Sequence, residues 1–332
     1  MNLFKTIKFW FINARYHALV QSFWAGMVAI CIALNNTNFN IINAFLALIG
    51  ALFAHLSINL LDDYFDYKLG SVEKRKELKG NIRSGKCIYL ENGKATTKQL
   101  FISASIFGLI ALLIGFYLFL QTGMPVIFIT LIALILGYFY SAPPFKLSYR
   151  GMGEIIVGLM FGSLLMNGIY YCATKTFDFQ LILISFAIAS LVINILYVHS
   201  IMDEKADKAV NKKTLAVILK SKLLKLIALV FFAIYPYWII MTGIFEYNLP
   251  KLLLFTFLTI PLTFVLIKFM VEFMDEKLKN HQPKFWMGKM EQWERIKSIG
   301  IDWFMIRWFL ARNIMTFFSI IICSAYVVTA IN

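Results

Sequence analysis

Phe39 to Gly70 reads FNIINAFLALIGALFAHLSINLLDDYFDYKLG. From Ile41 to Leu61 the only ionisable side chain is His55, and about 20 such residues cross the hydrocarbon core of a bilayer as one helix. Beyond Leu61 the stretch turns acidic with no Pro or Gly before Gly70, so nothing stops the helix as it leaves the membrane. At 100° per residue, Asn59, Asp63 and Asp66 fall at about 0°, 40° and −20° around that helix, which puts an amide and two carboxylates on one narrow face. Asp62 sits at the edge of that face.

Eight further apolar stretches resemble the first, giving nine expected spans near 18–35, 39–61, 100–121, 124–140, 153–174, 179–201, 223–245, 250–271 and 313–331. The 332 residues are 60% hydrophobic and 15% charged, against about 45–50% and about 25% in soluble domains. The expectation is an all-α integral membrane protein forming one unit over 1–332, with long loops near 62–99, 202–222 and 272–312. Only Lys175 and Lys251 fall on one face of this layout; every other Lys and Arg lies on the opposite face or at the adjoining helix ends. By the positive-inside rule that face is cytoplasmic, so the N-terminus is inside and the C-terminus outside an inner membrane. The net charge of +14 is thereby explained by an anionic leaflet, and membrane lipid rather than nucleic acid is the expected partner. Four scattered cysteines (Cys31, Cys87, Cys172, Cys323) form no C-x-x-C pair and suggest neither a disulfide framework nor a metal site.

A second acidic cluster, Asp203-Glu204-Lys205-Ala206-Asp207, closes the sixth span. Its i, i+4 spacing again aligns two carboxylates. A single acid at a helix end is ordinarily solvated or in a surface ion pair; two such clusters on one face, about 140 residues apart, resemble a pseudo-repeat with a site between related halves. Lys68, Lys74, Lys212 and Lys213 follow closely. Carboxylates alone repel a diphosphate, whereas carboxylates holding a hard divalent ion recruit one, and magnesium suits one or two carboxylates plus phosphate oxygens.

At these residues the chain resembles the UbiA-type intramembrane prenyltransferases, and most of all the branch acting on 1,4-dihydroxy-2-naphthoate in menaquinone synthesis. NLLDDYFDYKLG (Asn59 to Gly70) is similar to that branch's N-x-x-N-D-Y-x-D-Y-K-x-G. Arg83-Ser84-Gly85, YSAPPFKLSYRGMGE (Tyr140 to Glu154) and DEKADKAVNKKTLAV (Asp203 to Val217) resemble its other motifs. The resemblance implies a nine-helix bundle with a cytoplasm-facing site, and Mg2+-dependent prenyl transfer from a prenyl diphosphate to an aromatic small-molecule acceptor. It implies that Asn59, Asp63 and Asp66 hold one Mg2+ and Asp203 and Asp207 a second. Lys68, Arg83, Lys146, Tyr149 and Lys213 would meet substrate, and Tyr140 the allylic cation. Asp62, His199-Ser200 and Asn211 depart from the family pattern. Other acceptors (4-hydroxybenzoate, glyceryl phosphate, haem), a terpene cyclase, and a transporter with ion-binding acids are the alternatives.

Three features stand apart. Gly80 to Cys87 nearly spells a phosphate-binding loop, but Cys87 lacks the hydroxyl that such a loop needs. Arg15 resembles a residue at the start of the family's first span, and otherwise reads as an interfacial anchor. The stretch 272–312, with Trp286, Trp293, Trp303 and Trp308 among mixed charges, suits either an amphipathic segment on the inner leaflet or a lid.

Overall fold

A backbone crossing hydrocarbon must satisfy its own amides, and here helices do so: no strand occurs among the described residues, only an isolated bridge between Arg150 and Lys213. The computed structural model describes residues 3–76, 87–277 and 281–331. Arg83 and all of the near phosphate loop except Cys87 lie outside them.

In chain order the helices are α1 (Leu3–Asn13), α2 (Leu19–Ala33), α3 (Ile41–Lys68), α4 (Ser71–Lys76), α5 (Ile88–Glu91), α6 (Thr97–Thr122), α7 (Pro125–Ser141), α8 (Gly153–Leu159) and α9 (Leu165–Thr174). There follow α10 (Phe179–Met202), α11 (Glu204–Ala209), α12 (Leu215–Ile218), α13 (Lys222–Glu246), α14 (Ile260–Met274), α15 (Trp293–Ser298) and α16 (Asp302–Ile331). Eight helical stretches among the described residues are long and apolar enough to cross a membrane. The fourth expected span corresponds to α7, which is apolar but shorter, at 17 residues. Sequence punctuation sets the boundaries. Asn40 and Asp178 accept from the Asn43 and Leu181 amides to cap α3 and α10, and Thr96 with Gln99 forms a capping box on α6. Gly123, at φ 93°, turns α6 into α7.

Helix α10 is the axis of the bundle, with 78% of its most apolar window buried. It packs on α8, α13 and α16, while α3 packs along α6 and α2 against α9 and α16. Between α8 and α9 the helix makes one π turn, Met160–Leu164, a local widening that recurs at functional sites. Gly158 and Gly162 bring this region against α10 so closely that a Cβ would lie 2.3 Å from Ile193 Cγ1 and 2.5 Å from Ala189 Cα respectively. We expect Gly162→Val to cost about 1–3 kcal/mol or more, since backbone is what it strikes. Gly115→Ala, whose nearest neighbour is Thr130 Oγ1 at 3.9 Å, serves as the control. Thermal unfolding in lipid nanodiscs separates the two; equal midpoints would refute the close seam.

Candidate active site

At 28 residues, α3 is about 42 Å long, longer than the hydrocarbon core is thick. Its surplus carries the acidic cluster out on continuous helix, as the periodicity requires. Asp63 and Asp66 are 3% and 2% exposed, and Asp62 is buried with them rather than marginal. Burying a carboxylate costs several kcal/mol unless partners replace water, and each acid has them. Arg15, in left-handed backbone at φ 59°, donates through Nη2 to the Asn59 carbonyl at 2.8 Å and to Asp62 and Asp63 at 3.1 Å each. Burial works against its charge, but Asp63 and Asp62 outweigh it and hold its pKa above the ordinary arginine value. Ser141, at the end of α7, donates to Asp62 Oδ1 at 2.5 Å, and Tyr89 of α5 to Asp63 Oδ2 at 3.1 Å. Tyr149 donates to Asp66 Oδ1 at 2.7 Å. Burial and Asp63 push the Tyr89 hydroxyl up, and burial and Asp66 push Tyr149 up to about 12. Both phenols therefore stay protonated donors at neutral pH.

The second cluster departs from a simple helical pair. α10 ends at Met202 and Asp203 is the junction, so Asp207 sits on the separate short helix α11, although its amide still bonds the Asp203 carbonyl at 2.8 Å. Asp203 and Asp207 are each 4% exposed. His199 Nε2 lies 2.9 Å from Asp203 Oδ2, and its ring meets Phe304 of α16 edge-on. Glu204 faces elsewhere, bonding Lys208 and Lys225, whose charges draw its pKa down against burial.

Tyr149 joins the two halves. Its hydroxyl holds Asp66, its carbonyl accepts from the Lys213 amide at 3.2 Å, and the Lys212 ammonium lies 5.3 Å from its ring centre. Glu154 makes a second tie, accepting from Ser200 at 2.6 Å and from the Leu215 amide at 3.1 Å. Beside Tyr149 opens a polar cavity of about 320 Å³ bordered by Ser71, Lys74, Lys146, Arg150 and Asn211. An apolar cavity of about 260 Å³ runs along α3 from Ala47 to Leu61, walled by α6, α7 and the π turn.

Sequence reasoning is met unevenly. Asn59 lies beside the acids, its amide nitrogen donating to the Ala14 carbonyl at 2.9 Å, so Oδ1 is the atom it offers a cation. Lys146 and Tyr149 border the polar cavity. The Tyr140 hydroxyl faces Gly153, 3.5 Å from where a Cβ would be. Lys68 instead lies over the Tyr64 ring of its own helix at 4.6 Å, and Lys213 contributes its amide, while the ammonium at Tyr149 is that of Lys212. Arg15 is a partner of the buried acids as well as a residue at the membrane edge. Tyr89, Ser141 and His199 were not anticipated; none stands at a helical interval from the acid it contacts except His199, four residues before Asp203.

No three His, Cys, Asp or Glu side chains among the described residues form a ready metal cage. The donor set nonetheless fits magnesium. All its donors are hard oxygens, the carboxylates are buried beside a cationic cavity, and magnesium takes one or two carboxylates and completes its shell with water and phosphate.

Residues 22–290 match the model of the UbiA prenyltransferase family. A 1,4-dihydroxy-2-naphthoate octaprenyltransferase of Bacillus subtilis is 26% identical over 226 residues, 68% of this chain and 70% of that protein. A 2-carboxy-1,4-naphthoquinone phytyltransferase of Synechocystis is 35% identical over 92 residues, 28% of this chain and 30% of that protein. Among solved structures, a UbiA homolog from Archaeoglobus fulgidus bound to GPP and Mg2+ shares the fold at a TM-score of 0.55 and 14% identity, covering 97% of this chain and 99% of its own. With a family model spanning most of its length and the same helical architecture, this chain belongs to the UbiA prenyltransferase family.

Proposed function

We propose that this chain transfers a prenyl group from a prenyl diphosphate to an aromatic acceptor, 1,4-dihydroxy-2-naphthoate, in menaquinone synthesis. The observation that carries the reading is the succession of two cavities along α3, one beside Ala47 to Leu61 and one beyond its end at Leu69. One is polar and cationic, the other apolar, and between them they match a substrate with a diphosphate head and a hydrocarbon tail. The names of the Bacillus and Synechocystis relatives support a naphthalene-type acceptor.

In this mechanism Lys74, Lys146 and Arg150 neutralise diphosphate oxygens, with Arg83 and Lys213 assisting as the family resemblance implies. Tyr149 orients Asp66 and donates only in its protonated form. Asn59, Asp63 and Asp66 would hold one Mg2+, and Asp203 and Asp207 a second. When bound, these ions neutralise charge on the departing diphosphate. The C1–O bond breaks with its electron pair leaving on the diphosphate. The electron-rich ring attacks C1, and the adduct then loses a proton to restore aromaticity. Tyr140, and Tyr138 at the wall of the apolar cavity, would offer aromatic faces that shelter the allylic cation from water. Small residues of the apolar cavity, such as Gly50, Ala54, Gly108 and Gly137, leave room for the tail. We place the site at the cytoplasmic face of a single 1–332 domain in the inner membrane. Nine helices cross, α7 being the short one, with the N-terminus inside and the C-terminus outside.

The test is mass-spectrometric product detection with purified protein in lipid, Mg2+, an allylic diphosphate and a panel of acceptors. A prenylated naphthoate is expected, and a chelator should abolish it. Mg2+-dependent consumption without that adduct would assign another acceptor or a cyclase outcome, and chelator-resistant turnover would overturn the metal-assisted mechanism.

A further inference from the structure

His55 lies one helical turn before Asn59, about 6 Å further into the membrane along α3. It is 4% exposed and borders the apolar cavity. Its Nδ1 is 2.8 Å from Ser22 Oγ on α2. Ser22 Oγ also lies 3.1 Å from the Leu19 carbonyl, and the tautomer with the proton on Nδ1 is the one that keeps both contacts, the hydroxyl donating to Leu19 and accepting from Nδ1. An uncharged imidazole with its proton on Nδ1 presents Nε2 as a bare acceptor, and Nε2 has no hydrogen-bond partner among the described residues. The other face of the arrangement is equally constrained. Phe161, the second residue of the π turn, lies over the imidazole with ring centres 4.2 Å apart and planes at 31°. Tying α2 to α3 needs only Nδ1. It does not account for a second nitrogen held at the wall of an apolar cavity, where an unmet polar atom is costly.

The ligand chemistry follows by elimination among the groups that the proposed reaction brings to this place. A prenyl tail has no hydrogen-bond donor. A diphosphate offers only acceptors and would repel a bare lone pair. A hydroxyl on an aromatic ring is a donor, and a ring seated one turn from the acidic cluster is within reach of the carbon that the diphosphate leaves.

We propose that His55 is a specificity-determining residue whose Nε2 accepts a hydrogen bond from a ring hydroxyl of the acceptor, with Ser22 and Phe161 fixing the imidazole for that purpose. The inference rests on the aromatic-acceptor reading given above. Accepting that hydrogen bond increases electron density on the hydroxyl oxygen, and through it on the ring carbon that attacks.

The test compares kcat/KM for 1,4-dihydroxy-2-naphthoate with that for each of its mono-O-methyl ethers. Wild type should prefer the free hydroxyl over one of the two ethers by at least about tenfold. In His55→Phe, which keeps an aromatic ring against Phe161, that preference should fall to within about threefold. His55→Gln, which restores an acceptor, should recover part of the preference, and it decides the matter if the Phe variant does not fold. An unchanged preference in the variants would overturn the role of His55. A wild-type protein that prenylates no hydroxyarene would instead overturn the acceptor reading itself.

Discussion

Asp203→Asn is expected to lower consumption of an allylic diphosphate by at least about 10²-fold, in line with removing one charge-stabilising group from a reaction that develops charge. Asp63→Asn should do the same. Both replacements keep the side chain's shape and one accepting oxygen, and each removes a charge from a position only 4% or 3% exposed. The fold should survive: an amide at 203 still reaches His199, and the one oxygen of an amide at 63 still accepts from Tyr89, with Arg15 retaining Asp62 and the Asn59 carbonyl. Product formation and thermal unfolding, measured on the same preparation in lipid, separate the two effects. Full turnover in either variant would remove that residue from the proposed cation set, and a collapsed unfolding midpoint with normal turnover per folded molecule would make its role structural.

Arg15→Met carries the second large effect, and it should appear in stability as well as rate. The replacement removes three hydrogen bonds and the cation that Asp62 and Asp63 share. Breaking a fully buried pair by deleting one partner costs about 3–5 kcal/mol. The Arg15 side chain is 35% exposed, so solvent screening reduces this to about 2–3 kcal/mol. Turnover should drop by at least about tenfold, because the carboxylates lose the contact that holds them in place. Asp62→Asn in the same background should recover part of the stability, since it deletes one of the two orphaned charges; simple additivity of the two losses would show that Arg15 and Asp62 are not coupled. Differential scanning fluorimetry on the four proteins of the cycle provides the numbers.

The helical plan was legible because hydropathy and length answer directly to bilayer thickness. The acidic face of α3 was legible because the helix continues unbroken to Lys68, so that spacing becomes geometry. Where the helix stops, the same logic fails: Asp203 and Asp207 have the right interval but lie across the junction between α10 and α11. Contacts made across the bundle were illegible for a different reason. Tyr89 reaches Asp63, and Ser141 reaches Asp62, from 26 and 79 residues away, and no local pattern encodes such a meeting. Lys212 and Lys213 show the limit most finely. Neighbours in the basic loop, they divide the work at Tyr149 between an ammonium and a main-chain amide, a division fixed by the bridge between Arg150 and Lys213.

The glycine seam between the π-turn region and α10 has a practical consequence. In water, apolar faces are pressed together by the solvent they escape; acyl chains exert no such pressure, because they wet leucine and glycine surfaces alike. Beside the hydrogen bond from Ser185 to Ser163, what keeps Gly162 against Ala189 is contact density, summed over many weak attractions that lose about a quarter to a half of their depth within about an ångström of separation. The same seam sets where Phe161 sits over His55. Short, mobile detergent tails that wedge into this groove would thus shift Phe161 at the wall of the apolar cavity before any helix melted, so a purified sample can retain full helicity by circular dichroism with that cavity already altered. Extraction into native-like lipid is the handling condition under which activity and fold report on the same molecule.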